Sequence, residues 1–332
     1  MVRYLAGRVA QAIVVLWAAF TLTFIILYRL PSNPMQLQLA AAGIQLDSLT
    51  PAQLAAEKHQ FGLDQSGWAQ YWHHLAGALH ADFGRSLAQN VPVSQLIGQR
   101  LGSTLLLSGS AALLSLLVGF ALAYVATFVR RRWLRILLSR LPALGASVPQ
   151  FFVALILIQF LSFQLGWFPA TGSAGIGSLV MPVLTIAVLT SSVLAQVLIR
   201  SFEQTLRQSY IVTARAKGLS RTAVHLRHAL GNAALPALTI LGVIVGLSVT
   251  SSIIVETVFT RDGIGRLAQE SVLAQDVPVV LAVVTIAAAV FVVVNLVVDL
   301  LYPVFDPRIS RGISPRIGRT RVPGAVTDVS AL

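Results

Sequence analysis

From Leu141 to Ile199 the chain carries no charged residue at all. A stretch of that length cannot be one strand or one soluble core helix, and it is nearly three times the roughly 20 residues that cross a hydrocarbon core, enough for two crossings and a connection. Inside a bilayer the backbone must satisfy its own hydrogen bonds, so helices are the expected form. The turn-forming segment WFPATGSAGIGS, residues 167 to 178, divides the run into two spans. Similar uncharged runs cover Val9 to Tyr28, Leu101 to Val129, Ala229 to Val255 and Val277 to Val298. Together they predict an all-α polytopic membrane protein with six transmembrane helices.

Composition agrees, because only 11% of the residues are charged, where a soluble domain carries about 25%. The first run is 20 uncharged residues, about 30 Å as a helix, whereas the apolar part of a cleaved signal is about 7 to 15 residues. It is therefore read as a retained span. Without a cysteine, thiolate metal sites, disulfides and a cysteine nucleophile are excluded.

The net charge of +12 raises the question of nucleic acid, and the positions of the arginines answer it. Residues up to Arg8, 130 to 140, 200 to 227 and the tail after Tyr302 hold 18 of the 24 Lys and Arg, and the alternate side holds six. Basic residues collect on the cytoplasmic side of membrane proteins, so both termini are expected inside and no nucleic-acid partner is expected. The expected organisation is an N-terminal segment and first span at 1–30, an external element with short helices at 31–100, and a five-helix core at 101–305 that includes a cytoplasmic segment at 201–230. A disordered cytoplasmic tail is expected at 306–332.

Within the cytoplasmic segment, YIVTARAKGLSRTAVHLRHALGNAALPALTI at 210 to 240 reads as two short helices. Gly218 can close the first in the left-handed conformation and Ser220 can cap the second, while Glu203 and Arg207 have the spacing of a helical ion pair. Spacing alone leaves an ordinary basic loop open. Thr-Ala-Arg-Ala-Lys-Gly-Leu-Ser, then Arg-His-Ala-Leu and Leu-Pro, resembles the cytoplasmic signature of ABC importer permeases of the dipeptide, oligopeptide and nickel class. Further resemblance lies in FGLDQSGWAQYWHHLAGALHADFGRSL at 61 to 87, VETVFTRDGIGRLAQESVLAQDVPVV at 255 to 280 and DPRI at 306 to 309. LPSNP at 30 to 34 departs from the family's Leu-Pro-Gly-Asp-Pro.

The resemblance implies a type I importer permease fold and places Val212, Thr213, Ala214, Arg215, Ala216, Lys217 and Gly218 in the "EAA" loop. In that family the loop is a coupling helix docked in a groove of an ATPase. The usual glutamate is absent, and 18 positions separate Gly218 from Pro236, as in the peptide-type branch. Implied partners are a second homologous permease, two ATPase subunits that bind ATP and Mg, an external solute-binding protein received by Trp68 and Trp72, and membrane lipid. The chain has no phosphate-binding GxxxxGK[ST] loop, so it is expected to be a non-catalytic subunit without a cofactor of its own. The solute is expected to be a di- or oligopeptide. Nickel or another small solute is the alternative, followed by a secondary transporter.

Other polar residues are given structural readings. His59, His73, His74 and His80 lack supporting carboxylates or cysteines and are read as surface residues instead of metal ligands. Glu256 and Asp299 are placed at helix ends within reach of water. Pro142, Pro149, Pro182, Pro236 and Pro278 are read as punctuation in first helical turns. Ser103, Thr104, Ser108, Thr250, Ser251 and Ser252 either line the pathway or bond between helices. No pairing of nucleophile with base suggests an enzyme.

Orientation is testable with single cysteines, since no native thiol competes. Ser66→Cys is expected to react with an impermeant thiol reagent added to intact cells, and Ser139→Cys and Ser314→Cys only after permeabilisation. Labelling of Ser139→Cys in intact cells would reverse the assignment.

Overall fold

In a computed structural model of the chain, residues 2–29, Thr50 and 66–305 are described. LPSNP, His59, the first five residues of the 61–87 motif, DPRI and the tail at 306–332 lie outside the described residues. Ten helices follow in order: α1 (Val2–Arg29), α2 (Gly67–Leu79), α3 (Val93–Phe128), α4 (Arg132–Ser147), α5 (Gln150–Leu157), α6 (Gly177–Leu206), α7 (Ser209–Ala216), α8 (Leu230–Val258), α9 (Ile264–Leu273) and α10 (Val277–Phe305). A π-helical segment, Ile158–Gln164, extends α5, and a turn at Arg221–Ala223 with a π-helical segment at Val224–Ala229 runs directly into α8. No strand occurs among the described residues.

Among the described residues five helices are long and apolar enough to cross a membrane, and α4 with α5 and its π-helical extension passes the same test only as a pair bent by 99°. Val148 and Pro149 form the bend, because proline has no N–H to continue the helix and holds the preceding residue extended. The basic run thus lies largely on a helix, since Arg132, Arg135 and Arg140 belong to α4. Pro142 departs from its expected place in a first turn and sits buried in the interior of α4. Packing explains the tolerance: Pro142 lies against α6, and its carbonyl accepts a hydrogen bond from Gln196 at 3.4 Å.

α6 is the hub. Two thirds (67%) of its apolar stretch is buried, against 11% for α1, so α6 is enclosed by its own chain while most of α1 is left uncovered by it. Around α6 stand α3, α4, α5 and α8, while α10 joins α1 to the bundle. At 36 residues α3 is about 54 Å long, more than the ≈30 Å hydrocarbon core, so its ends project beyond it. It begins eight residues before the expected Leu101, after Pro92, in a turn where Val93, Leu96 and Ile97 are buried.

The two ends of α3 define the two ends of the molecule. Near its start, Val93, Leu96 and Ile97 pack with Phe83, Ile264, Leu267 and Val279. Near its finish, Ala123 and Ala126 pack with Ile211, Val224 and Phe202. α2 belongs to the first end, where its buried Tyr71 contacts Phe20 and Phe24 of α1 edge to face and its hydroxyl lies 2.8 Å from Thr21 Oγ1. The start of α1 and the later part of α10 lie together toward the second end, lining one cleft through Arg8, Gln11, Phe291 and Asn295.

Candidate functional site

The segment singled out by the sequence forms α7 and the turn after it. α7 stops through two backbone bonds, Gly218 N to Arg215 O at 3.0 Å and Leu219 N to Ala214 O at 3.3 Å. This is a Schellman closure, which needs a left-handed residue, and Gly218 supplies it at φ +79°. Ser220 then caps the next turn, its Oγ accepting from Ala223 N at 3.3 Å. The second helix is not a separate short one, however. It continues through the π-helical turn into α8, because Val224, His225 and Ala229 are buried against α3 and α6 and nothing interrupts their backbone ladder.

α7 has two faces. Ile211 and Ala214 point inward and are buried in the cluster formed by Ala123 and Ala126 of α3, Leu194, Leu198, Ile199 and Phe202 of α6, and Ala233 and Ile244 of α8. Val212, Thr213, Arg215, Ala216, Lys217 and Gly218 are exposed. Ala214 is therefore unavailable to a partner, contrary to its placement on the coupling face; with Ile211 it forms the side that holds α7 to its own chain. Val212, Thr213 and Ala216 make a low outer ridge between the cations Arg215 and Lys217. Glu203 and Arg207 form no ion pair among the described residues, since α6 ends at Leu206 and Arg207 lies beyond its last turn.

His225 was not singled out by the sequence. It is 1% exposed, boxed by Tyr124, Phe128 and Phe202, with Nδ1 3.0 Å from Arg221 O. Arg221 lies 5.1 Å above the Phe128 ring and donates to Thr127 O at 3.3 Å. Burial pushes the His225 imidazole below its ordinary pKa of 6.5; the bond to Arg221 O opposes this, and the Arg221 charge adds to it. Tyr210 ties α7 to the following helix, with Asn232 Nδ2 donating to its hydroxyl at 2.7 Å.

At the other end of α3 lies a buried polar junction. Glu256 is fully buried, contrary to its expected contact with water. Its carboxylate accepts from Thr104 Oγ1 at 2.6 Å, Gly265 N at 2.7 Å and Arg266 N at 3.2 Å, so it caps the N-terminus of α9 from α8. Thr104 also accepts from Ile264 N at 2.8 Å. Gly265 is required by close approach, because a Cβ there would stand 2.6 Å from the Ile253 Cα. Arg261 is also buried, donating to Ser178 O at 3.0 Å and Ser178 Oγ at 3.1 Å. The side chain of Asp299 lies outside the described residues.

The hydroxyl residues now separate. Thr104 bonds between helices, Ser103 accepts from Arg261 at 3.4 Å, and Ser108 and Ser252 line a cavity bounded by α3, α8, α9 and α10. Thr250 bonds to Gly246 O of its own helix and is exposed. Trp68 and Trp72 project outward from α2, 75% and 60% exposed. His73, His74 and His80 face a surface hollow, and no group of three metal-ligating side chains gathers among the described residues.

The family described as binding-protein-dependent transport system inner membrane component matches residues 83–311, and its N-terminal counterpart matches residues 1–108. The glutathione transport system permease protein GsiC of Salmonella typhimurium strain LT2 is 36% identical over 309 residues, 93% of this chain and 99% of the relative. Those of Escherichia coli strain K12 and Shigella dysenteriae are 35% identical over the same lengths.

Two outcomes are expected from this geometry. Gly218→Val should cost about 1–2 kcal/mol through its left-handed backbone, since open space surrounds the position and no overpacking adds to it. Gly218→Asn should cost less; equal melting temperatures for all three proteins would refute the role given to the turn. Because folding depresses the His225 pKa, its neutral form stabilises the protein above 6.5 and that contribution falls away as pH drops below it. Melting curves of His225→Phe should lack this component between pH 7 and 5, and an unchanged pH profile would contradict it.

Proposed function

We infer that this chain, which belongs to the family of binding-protein-dependent transport system inner membrane components, forms part of the path by which a peptide-type solute crosses the membrane. It is a multi-pass permease subunit of an ABC importer and not an enzyme, and it works with an ATPase and a solute-binding protein. The observation that carries the functional site is the outer ridge of α7, rigidly seated on three spans and flanked by two cations. A short ridge of small residues suits insertion into a groove, and Arg215 and Lys217 suit acids at its rim. α7 is accordingly the coupling helix, through Val212, Thr213, Arg215, Ala216, Lys217 and Gly218.

The remaining parts follow from this assignment. Both termini and α7 face the cytoplasm, supported by the distribution of basic residues and by the location of α1's start and α10's later part toward the α7 end. The α2 end then faces outward, where Trp68 and Trp72 offer exposed aromatic anchors beside a Tyr71 fixed to α1, a pattern suited to docking a binding protein. A second homologous permease completes the pathway, and two ATPase subunits bind ATP and Mg. Glutathione is a tripeptide, and the relatives named for its transport favour a short peptide over nickel as the solute.

Copurification tests the coupling assignment. A bulky, oppositely charged change at the ridge, Ala216→Glu, alters no buried residue and should leave insertion intact. It is expected to lower retention of the ATPase on the tagged permease at least about tenfold, the effect of losing an interface contact worth about 1.4 kcal/mol or more. Trp72→Ala should retain the ATPase and lose the binding protein. Wild-type retention by Ala216→Glu would reject α7 as the contact.

A further inference from the structure

The basic residues of the α7 end do not stand singly. Arg221, in the turn after α7, lies above the Phe128 ring and donates to Thr127 O, so its guanidinium rests on the last turn of α3. Arg130 follows Phe128 by two residues, and Arg135 closes the first turn of α4. Burial pushes the Arg221 guanidinium below the usual arginine range, the charges of Arg130, Arg215 and Arg135 add to this, and only Tyr124 opposes it. Four cations from the α3–α4 link, α4, α7 and the turn after α7 thus gather in one place. None of them forms an ion pair among the described residues.

Depth in the bilayer identifies what can answer this charge. The uncharged run begins after Arg140 and ends before Arg200, and near this end Pro142 O meets Gln196, so Arg140 and Arg200 mark one edge of the hydrocarbon. Arg135 is five residues, about 7.5 Å, farther along α4, which is the depth of a headgroup layer of about 5–7.5 Å on each side. The exposed Trp133 stands at the same depth, where aromatic rings settle in the interface. From it Leu137, Leu141 and Leu144 continue one exposed stripe down α4, at spacings of four, four and three. Cations above an apolar stripe match an amphiphile with an anionic head, whereas an acidic face of a soluble subunit would leave the stripe unused.

We propose that this cluster binds the head of an anionic phospholipid of the phosphatidylglycerol type, its phosphate bridging Arg130 and Arg135 to Arg221 and an acyl chain lying on the α4 stripe. Guanidinium and phosphate form paired, charge-assisted hydrogen bonds, so several arginines can share one phosphate. The lipid ties the α3–α4 link to the turn that closes α7. Only the leaflet supplying it rests on the orientation proposed above.

Native mass spectrometry tests the site on the complete importer, released from vesicles of equal parts phosphatidylcholine and phosphatidylglycerol. The wild type is expected to retain phosphatidylglycerol in excess. Arg130→Gln and Arg135→Gln, both at exposed positions, should each lower the ratio of retained phosphatidylglycerol to phosphatidylcholine about fivefold, the effect of one basic residue beside an anionic membrane surface. Arg135→Lys should keep most of the preference. Arg207→Gln removes the same charge from the same end, at an exposed position outside the cluster, and should leave the ratio unchanged. Equal retention of both lipids by the wild type, or an equal drop in Arg207→Gln, would overturn the site. Displacement of the lipid by millimolar inorganic phosphate would overturn it in favour of a free anion, and loss of the ATPase instead of the lipid from Arg135→Gln would assign the cluster to acids of that subunit. Ser66→Cys labelling in the same vesicles reports orientation separately, so failure there is distinguishable from failure of the lipid site.

Discussion

Phe202 stands where four helices meet, and its burial fixes how motion at α7 can reach the membrane. Ile211 and Ala214 pack with Phe202 on α6, with Ala123 and Ala126 on α3, and with Ala233 and Ile244 on α8, in one cluster free of buried charge. Close-packed apolar contacts have no polar substitute in water, and they do not deform gradually. A displacement of α7 therefore carries the ends of three spans with it. Phe202→Ala would leave a cavity costing about 3–5 kcal/mol and would loosen the joint along with the fold.

The opposite end adds buried polar contacts to its own apolar cluster. There, buried carboxylates hold α9 and the loop at 86–88 through hydrogen bonds, and the helix connections are strained. The α7 end is therefore held by apolar packing, and the α9 end by apolar packing together with buried hydrogen bonds.

Much of this was legible in the sequence, because the bilayer allows few solutions. Uncharged runs located the spans, arginine counts suggested their direction, and Gly218 with Ser220 marked the turn after α7 in its observed form. What escaped has a common cause. Glu256 reads as a helix-end acid until Thr104, Gly265 and Arg266 are brought to it from other segments, and no local pattern announces that meeting. The GIG sequence at 263 to 265 was the available hint, since two glycines separated by one residue accommodate close approach. Ala214 was assigned outward because small residues were read as a docking face, whereas the helical period pairs it with Ile211 on the buried side. Pro142 escaped because its cost depends on packing against α6.

Rigid transmission from α7 to the spans is open to one direct distance measurement. Spin labels on Lys217→Cys and Arg130→Cys flank the dry cluster, and both sites are exposed. In the complete importer, the distance between them should keep the same mean in the nucleotide-free and vanadate-trapped states. Distances from either label to the same site on the ATPase or the second permease are free to change. A shift of the Lys217–Arg130 distance by several ångströms between states, larger than the roughly 1–2 Å of ordinary helix adjustment, would mean that α7 slides on its own chain and would contradict rigid transmission.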